Sequence, residues 1–95
     1  MTNKLNITPQ AERDILAITS NITLQDSVLA AKHALFEFQR QFKVLSEFPD
    51  SGRVGGHDGT REIVMAGFPY IVTFKASDTS ITVVRILHGS ADRRH

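Results

Sequence analysis

In the second half of the chain, apolar and polar residues form three short runs that predict β-strands. The runs cover residues 61–65, 70–75 and 81–87 and are dominated by Val, Ile, Thr, Phe and Tyr. These residue types favour a pleated, half-buried surface. Turn residues at 66–67 and 77–80 separate the runs. Because such short connections join neighbouring antiparallel strands, the pattern predicts an antiparallel meander that serves as the platform for the rest of the chain.

The third run has the sharpest alternation. Successive side chains of a strand point to opposite faces, so this run predicts two distinct sets. One set contains Ile81, Val83, Arg85 and Leu87, and the other contains Thr82, Val84, Ile86 and His88. A charged side chain among apolar neighbours must snorkel, form an ion pair or face a groove. Arg85 therefore either pairs with an acidic residue at the rim of the sheet or lines a functional groove.

Helical periodicity replaces this alternation in the first half of the chain. A short strand is expected at residues 5–8, after which Thr8 suits a helix N-cap and Pro9 the first helical position. The apolar stripe of this first helix consists of Ala11, Ile15, Ile18 and Ile22. We expect its turn at residues 21–24 and a second helix that Asp26 or Ser27 caps. The stripe of the second helix consists of Val28, Ala31, Leu35, Phe38, Phe42 and Leu45.

The end of the second helix and the loops complete the predicted fold. Pro49 disfavours helix at Phe48, residues 54–59 have the composition of a flexible loop, and the polar tail 90–95 is expected to fray. We predict an α+β fold in which an N-terminal strand and an antiparallel helical hairpin pack with a small, mostly antiparallel sheet. A length of 95 residues predicts a single domain over residues 1–95.

Composition excludes several classes of protein. A formal net charge of +1 argues against a strongly basic nucleic-acid-binding protein, although residues 52–95 hold six Lys or Arg against four acids, which predicts a mild basic patch. The absence of cysteine excludes disulfides and thiolate metal sites and fits a reducing compartment. No metal-ligand spacing, signal peptide or membrane-length apolar run is present. We therefore expect a cytoplasmic protein with no metal, no cofactor and no membrane partner.

Candidate chemistry is concentrated on the predicted sheet. Arg61 and Arg85 come from two strands, and His88 lies at the end of a strand. Such groups can stabilise charge on a phosphate and transfer a proton without a metal. No Gly-rich phosphate loop or serine nucleophile elbow accompanies them. A metal-free ribonuclease site is one interpretation of these three residues.

Five segments, in order and spacing, resemble the RelE/ParE superfamily of type II toxin–antitoxin toxins across nearly the whole chain. They are Ile-Thr-Pro-Gln-Ala-Glu-Arg-Asp-Ile (7–15), Leu-Ser-Glu-Phe-Pro-Asp-Ser-Gly-Arg (45–53), Gly-Thr-Arg-Glu-Ile-Val (59–64), Pro-Tyr-Ile-Val (69–72) and Val-Val-Arg-Ile-Leu-His-Gly (83–89). The resemblance implies a strand, a helical hairpin and an antiparallel sheet, in agreement with the periodicity. It also implies a toxin whose growth inhibition a cognate antitoxin neutralises.

The resemblance implies one of two activities. ParE-like members inhibit DNA gyrase, whereas RelE-like members cut mRNA on the ribosome without a metal. Nuclease members carry basic residues where this chain has Phe-Pro-Tyr-Ile (68–71), and an arginine where it has Gly-Ser-Ala-Asp (89–92). These departures favour gyrase inhibition. Under the alternative of an mRNA interferase, Arg61, Arg85 and His88 are the catalytic candidates.

The resemblance also implies binding surfaces for the antitoxin and for the target. An apolar set lies off the stripe of the second helix and consists of Phe36, Val44 and Phe48. These residues are candidates for binding the antitoxin in a hetero-oligomer, because large exposed apolar patches usually mark binding sites; alternatively, Phe36 and Phe48 fold back into the core of the hairpin. The candidates for binding gyrase, or the ribosome and mRNA, are Arg53, Tyr70, Arg93 and Arg94.

Overall fold

In a computed structural model, two helices pack against one face of a five-stranded sheet. The structure describes residues 3–55, 59–65 and 67–89. The elements in chain order are β1 (Lys4–Ile7), α1 (Pro9–Gln25), α2 (Val28–Glu47), β2 (Arg53–Val54), β3 (Arg61–Val64), β4 (Tyr70–Ala76) and β5 (Ser80–His88). The strand order is β1-β5-β4-β3-β2, and only the β1–β5 pair is parallel. The predicted α+β architecture and its mostly antiparallel sheet are confirmed.

Helix α1 begins as its sequence predicts but continues beyond the expected turn. The Thr8 hydroxyl accepts a hydrogen bond from the Ala11 N–H at 3.1 Å, and Pro9 occupies the first helical position. The turn predicted at residues 21–24 is wrong, because α1 runs to Gln25. The hydroxyls of Thr19 and Thr23 each donate to a carbonyl one turn earlier, at 2.9 Å. These threonine side chains therefore bond within the helix rather than ending it.

Helix α2 begins at a predicted cap, and its buried face shares four of the six residues of the predicted stripe. Of the two predicted caps, Ser27 is the one used, since its hydroxyl accepts from the Ala30 N–H at 3.0 Å. The buried apolar residues are Ala31, Ala34, Phe38, Phe42 and Leu45. Val28 and Leu35, which belong to the predicted stripe, are exposed. The buried face therefore keeps Ala31, Phe38, Phe42 and Leu45 of the predicted stripe and has Ala34 in place of Leu35.

The core lies between the helices and one face of the sheet, which we call the inner face. Val72 and Phe74 of β4 and Ile81 of β5 are fully buried there, against Phe38 and Leu45 of α2. The Phe38 ring stacks on Phe42 with a centroid distance of 6.3 Å. Residues that alternate with these belong to the opposite, outer face of the sheet.

A β-bulge shifts the alternation of β5. Thr73 of β4 pairs with Arg85 and Phe74 pairs with Val83, so Val84 is an extra residue in β5. The predicted alternation is correct up to Val83 and wrong beyond it. Because the bulge adds one residue, the inner face continues with Ile86, which is 3% exposed. Arg85 and Leu87 are thereby placed on the outer face.

The segment after α2 contains a short strand, whereas the sequence predicts a loop from residue 54. Residues Arg53–Val54 form β2 against β3, and the Gly55 N–H donates to the Thr60 carbonyl at 2.9 Å. The prediction of an irregular loop at 54–59 is therefore wrong at its start, while His57 and the tail 90–95 lie outside the described residues. A Cβ on Gly52 would lie 2.7 Å from the Phe74 ring, so only glycine fits where the chain leaves α2.

Candidate functional site

The candidate site lies beside a junction between α1 and the free edge of β5. Strand β1 ends at Ile7, opposite Val83, and leaves the remainder of β5 without a neighbouring strand on that side. Helix α1 replaces the missing strand. The Thr8 N–H donates to the Val83 carbonyl at 3.0 Å, and the Thr8 hydroxyl donates to the carbonyl of the bulged Val84 at 2.9 Å. We call these contacts, with those of Asp14 described next, the α1–β5 junction.

Asp14 completes the junction. Its Oδ2 accepts a hydrogen bond from the Ile86 N–H at 2.9 Å and another from Arg85 Nε at 2.9 Å. Arg85 Nη2 adds a bond to Oδ1 at 3.3 Å, and the amide of Gln10 donates to the same oxygen at 3.0 Å. The Asp14 side chain is only 10% exposed. Of the two interpretations of Arg85, the ion pair with an acidic residue is confirmed.

The hydrogen bonds of Asp14 outweigh the effect of its burial. Burial alone would raise the pKa of the carboxyl, because desolvation penalises the charged form. The hydrogen bonds from Arg85, from the Ile86 N–H and from Gln10 favour the carboxylate and hold its pKa below the ordinary value of 3.8. Asp14 is therefore a carboxylate that accepts structural hydrogen bonds, and it is not a proton donor near neutral pH.

An open cavity of about 330 Å³ adjoins the junction, between α1 and the ends of β4 and β5. Its lining consists of Asp14, Ala17, Ile18, Asn21, Tyr70, Ile86 and His88. The His88 ring meets the Tyr70 ring edge-on, with a centroid distance of 5.8 Å and an interplanar angle of 89°. Tyr70 in turn packs on Phe38 at 5.9 Å, which anchors this aromatic pair to the core. The lining of the cavity thus combines apolar side chains with polar and aromatic ones.

Arg61 lies elsewhere. It belongs to β3, and β4 separates that strand from β5. Its Nη2 donates to the Gly52 carbonyl at 2.7 Å and to the Asp50 carbonyl at 3.4 Å, so it fixes the chain that leaves α2. The three catalytic candidates are therefore not brought together: Arg61 binds backbone carbonyls, Arg85 binds Asp14, and His88 lines the cavity.

The predicted target-binding residues do not form one patch either. Arg53 lies on β2, where its Nη2 is 3.3 Å from a carboxylate oxygen of Glu62 on the outer face. Tyr70 lies on the inner face, half-buried against Phe38. Arg93 and Arg94 lie outside the described residues.

Comparisons with known proteins decide the family. The model of the ParE toxin family of type II toxin–antitoxin systems matches residues 5–93. This chain belongs to the ParE toxin family. It is also 31% identical over 65 residues to Y4kP of Sinorhizobium fredii, whose name classes it among toxins, a match that covers 68% of this chain and 67% of that protein.

Solved structures agree with this ParE family fold. A chain of the chromosomal ParDE toxin–antitoxin system of P. aeruginosa superposes with a TM-score of 0.84 at 22% identity, covering 92% of this chain and 96% of that one. A chain of the RelBE2 toxin–antitoxin complex of Mycobacterium tuberculosis gives 0.65 at 22% identity, covering 93% and 99%. The E. coli DinJ–YafQ complex gives 0.61 at 14% identity, covering 99% and 100%. At these identities the likeness supports the fold.

The predicted antitoxin-binding residues of this ParE family toxin are at the surface. Phe36 is 59% exposed and Phe48 is 62% exposed. Val44, which lies between them in the sequence, is also exposed. The alternative in which Phe36 and Phe48 fold back into the hairpin core is wrong. Whether these residues bind an antitoxin stays a prediction at this point.

Two further features of the toxin bear on its chemistry. The parts of the chain that the structure describes contain no group of three or more metal-ligating side chains. Neither of the two helices in those parts is long and apolar enough to span a bilayer.

Asp14 and Thr8 are the residues of this site that the sequence pattern did not reveal. Thr8 is the N-cap of α1 and Asp14 lies near the beginning of the helix, where a threonine or an acid already has a local explanation in helix capping and the helix dipole. The available signal was indirect. A strand of four residues beside one of nine leaves backbone groups that need partners from the next element along the chain.

We predict that Asp14→Asn destabilises the toxin by about 1–3 kcal/mol at neutral pH, because charge-assisted bonds to Arg85 and Ile86 are weakened. A depressed pKa gives stability that is present above the unfolded-state pKa of about 3.9 and lost as pH falls through the folded-state pKa. The difference from the natural chain should therefore be constant near neutral pH and shrink below about pH 4. Urea unfolding across pH measures it.

Asp78→Asn is the matched control, since Asp78 is an exposed aspartate in the turn between β4 and β5. Its unfolding free energy should stay within about 0.5 kcal/mol of the natural chain at every pH. An Asp14→Asn variant that behaves like Asp78→Asn would contradict the role assigned to the junction.

Proposed function

We propose that this ParE family toxin acts by binding and inhibiting DNA gyrase, and that it does not cleave RNA. The observation that carries the proposal is the separation of Arg61, Arg85 and His88 into three different sets of contacts. Metal-free cleavage of RNA needs an acid–base group and cationic donors within hydrogen-bond reach of one phosphate. The two arginines are instead bonded to groups within the chain.

The cavity beside the junction supports binding rather than phosphate chemistry. Ile18 and Ile86 are among its lining residues, and its carboxylate, Asp14, is already paired with Arg85, so the cavity offers no free cationic side chain of Arg85 to a phosphate. Tyr70 and His88 supply flat rings with polar tips, which suits contacts with a protein. We therefore retain Tyr70 as a target-binding candidate, together with Arg53, Arg93 and Arg94.

We also propose that a cognate antitoxin neutralises the toxin in the cytoplasm by covering its exposed apolar surface. The similar solved structures include toxin–antitoxin complexes. The exposure of Phe36 and Phe48 supports the same arrangement, since neither phenylalanine is covered by the chain itself. A disordered antitoxin segment that folds on binding can wrap such a surface, although it incurs an ordering cost.

Two purified systems test the target. The proposal predicts that the chain reduces supercoiling by purified gyrase and leaves mRNA intact on translating ribosomes. His88→Ala should change gyrase inhibition by less than about tenfold, because removal of one contact at a binding surface has a limited effect. In a nuclease the same change removes an acid–base group and should cost about a hundredfold or more in cleavage rate.

The opposite outcome of these two assays would contradict the proposal. Codon-positioned cleavage of mRNA with gyrase activity untouched would establish the RelE-like alternative. It would also show that substrate binding rearranges Arg61 and Arg85 from the contacts they make here.

Amide hydrogen exchange tests the antitoxin. The chain should be compared alone and in complex with the protein encoded beside its gene, and slowed exchange is expected in α2 and at strand edges. These regions are expected because bound segments protect the backbone they cover. Slowed exchange confined to the termini, with α2 unchanged, would contradict the proposed surface.

A further inference from the structure

The solvent-facing side of α1 carries an apolar stripe that the rest of the chain leaves uncovered. Leu16 is 65% exposed and Leu24 is 85% exposed. They are a little over two helical turns apart and therefore lie on the same side of the helix, with the exposed Ser20 midway between them. Ser20 follows the fully buried Ala11 by about two and a half turns, so this side of α1 points away from the core.

The stripe has opposite charges at its two ends. Arg13 lies at its beginning and Asp26 lies at the C-cap that ends α1, and both residues are exposed. Within the described residues, neither of them forms an ion pair. The neighbouring Glu12 lies about 100° further around the helix, outside the stripe. A matching partner must therefore present apolar side chains with an acidic group at one end and a basic group at the other.

A second copy of α1 in antiparallel orientation presents such a surface. A twofold axis at Ser20 pairs residues that lie at equal distances on either side of it. Leu16 then meets Leu24 of the second copy, and the exposed Ala17 meets the exposed Thr23. Small side chains lie beside the axis, which allows the two helices to pack at the usual distance of about 8–10 Å.

The charges select this orientation. In the antiparallel pair, Arg13 of each copy lies beside Asp26 of the other, so both ends gain a pair of opposite charges. A parallel pair would bring Arg13 beside Arg13 and Asp26 beside Asp26, and such like-charge pairs are unfavourable. A helix that is acidic or basic along its whole length would match only one end of the stripe.

We infer that two copies of this chain associate through α1, antiparallel and around a twofold axis at Ser20. Ala17 also lines the cavity beside the α1–β5 junction, so Thr23 of the second copy contributes to the rim of that cavity. Each copy supplies one helix to the contact, and contacts of this size are weak and transient. We expect a dissociation constant on the order of 100 μM, so the dimer forms at high concentration and dissociates on dilution.

Crosslinking tests the position of the axis, because the chain contains no cysteine and a single introduced thiol reports alone. Ser20→Cys places the two thiols of a dimer across the axis, where a bismaleimide spanning about 10 Å can join them. At about 500 μM chain, this variant should give at least about tenfold more crosslinked dimer than Asp78→Cys, whose exposed site lies in the turn between β4 and β5. Equal crosslinking of the two variants, or none of Ser20→Cys, would overturn the inference.

An exchange of charges tests the antiparallel orientation. Arg13→Glu and Asp26→Arg should each weaken association by about threefold or more, because each places like charges together at both ends of the contact. The double variant restores opposite charges and should associate within about twofold of the natural chain. Sedimentation equilibrium measures the dissociation constants. A double variant that associates no better than the single variants would overturn the inference.

A charge within the stripe tests the apolar contact. Leu16→Glu should raise the dissociation constant by about tenfold or more, because each dimer then holds two carboxylates against leucine side chains. Val54→Glu is the matched control, since Val54 is 81% exposed on β2, and it should stay within about twofold. Unfolding curves establish that both variants are folded. A natural chain that sediments as a monomer at about 500 μM would overturn the inference, and protection of α1 by the antitoxin would then identify that protein as the occupant of the stripe.

Discussion

The unequal lengths of β1 and β5 impose the constraint on which the rest of the structure depends. Four residues of β1 cover the first part of a nine-residue strand, and the remaining edge of β5 needs other hydrogen-bond partners. Thr8, the N-cap of α1, and Asp14, within α1, provide them. Helix α1 is therefore positioned by hydrogen bonds to the backbone of β5 as well as by its apolar side. That position sets one wall of the cavity beside Tyr70 and His88.

The same constraint determines which charged groups are available for function. The bulge at Val84 turns Arg85 to the outer face, and the arginine reaches Asp14 at the edge of the sheet. Arg61 is likewise engaged by the backbone that leaves α2. Two arginines that are catalytic candidates under the mRNA interferase alternative thus bond to groups of their own chain.

Much of this fold was predictable because its signals are local. The two helices and strands β3, β4 and β5 follow from periodicity, and Ser27, Thr8 and Pro9 begin the helices as helix-capping chemistry requires. The bulge was not predictable, since Val84 is as good a strand residue as its neighbours and only the pairing with β4 reveals it. The burial of Ala34 in place of Leu35 on α2 was also hidden, because helical periodicity places both residues beside the apolar stripe.

The candidate site was less predictable than the fold. His88 was named from its place at a strand end and Tyr70 as a target-binding candidate, and the structure brings them together at the cavity. Arg61 and Arg85 could not be assigned from the sequence, because their partners are the Gly52 carbonyl and Asp14, whose proximity depends on the tertiary fold. An arginine in a strand carries the same local signal whether it binds a substrate or a carboxylate of its own chain.

The toxicity of Arg85→Gln, expressed per folded molecule, tests most directly whether Arg85 is structural. Growth arrest would be measured against the amount of soluble chain, corrected by the folded fraction from its unfolding curve. The structural account predicts reduced stability and a toxicity per folded molecule within about threefold of the natural chain. A variant that unfolds like the natural chain but has lost toxicity by about a hundredfold or more would show that Arg85 acts on the target and would contradict the account.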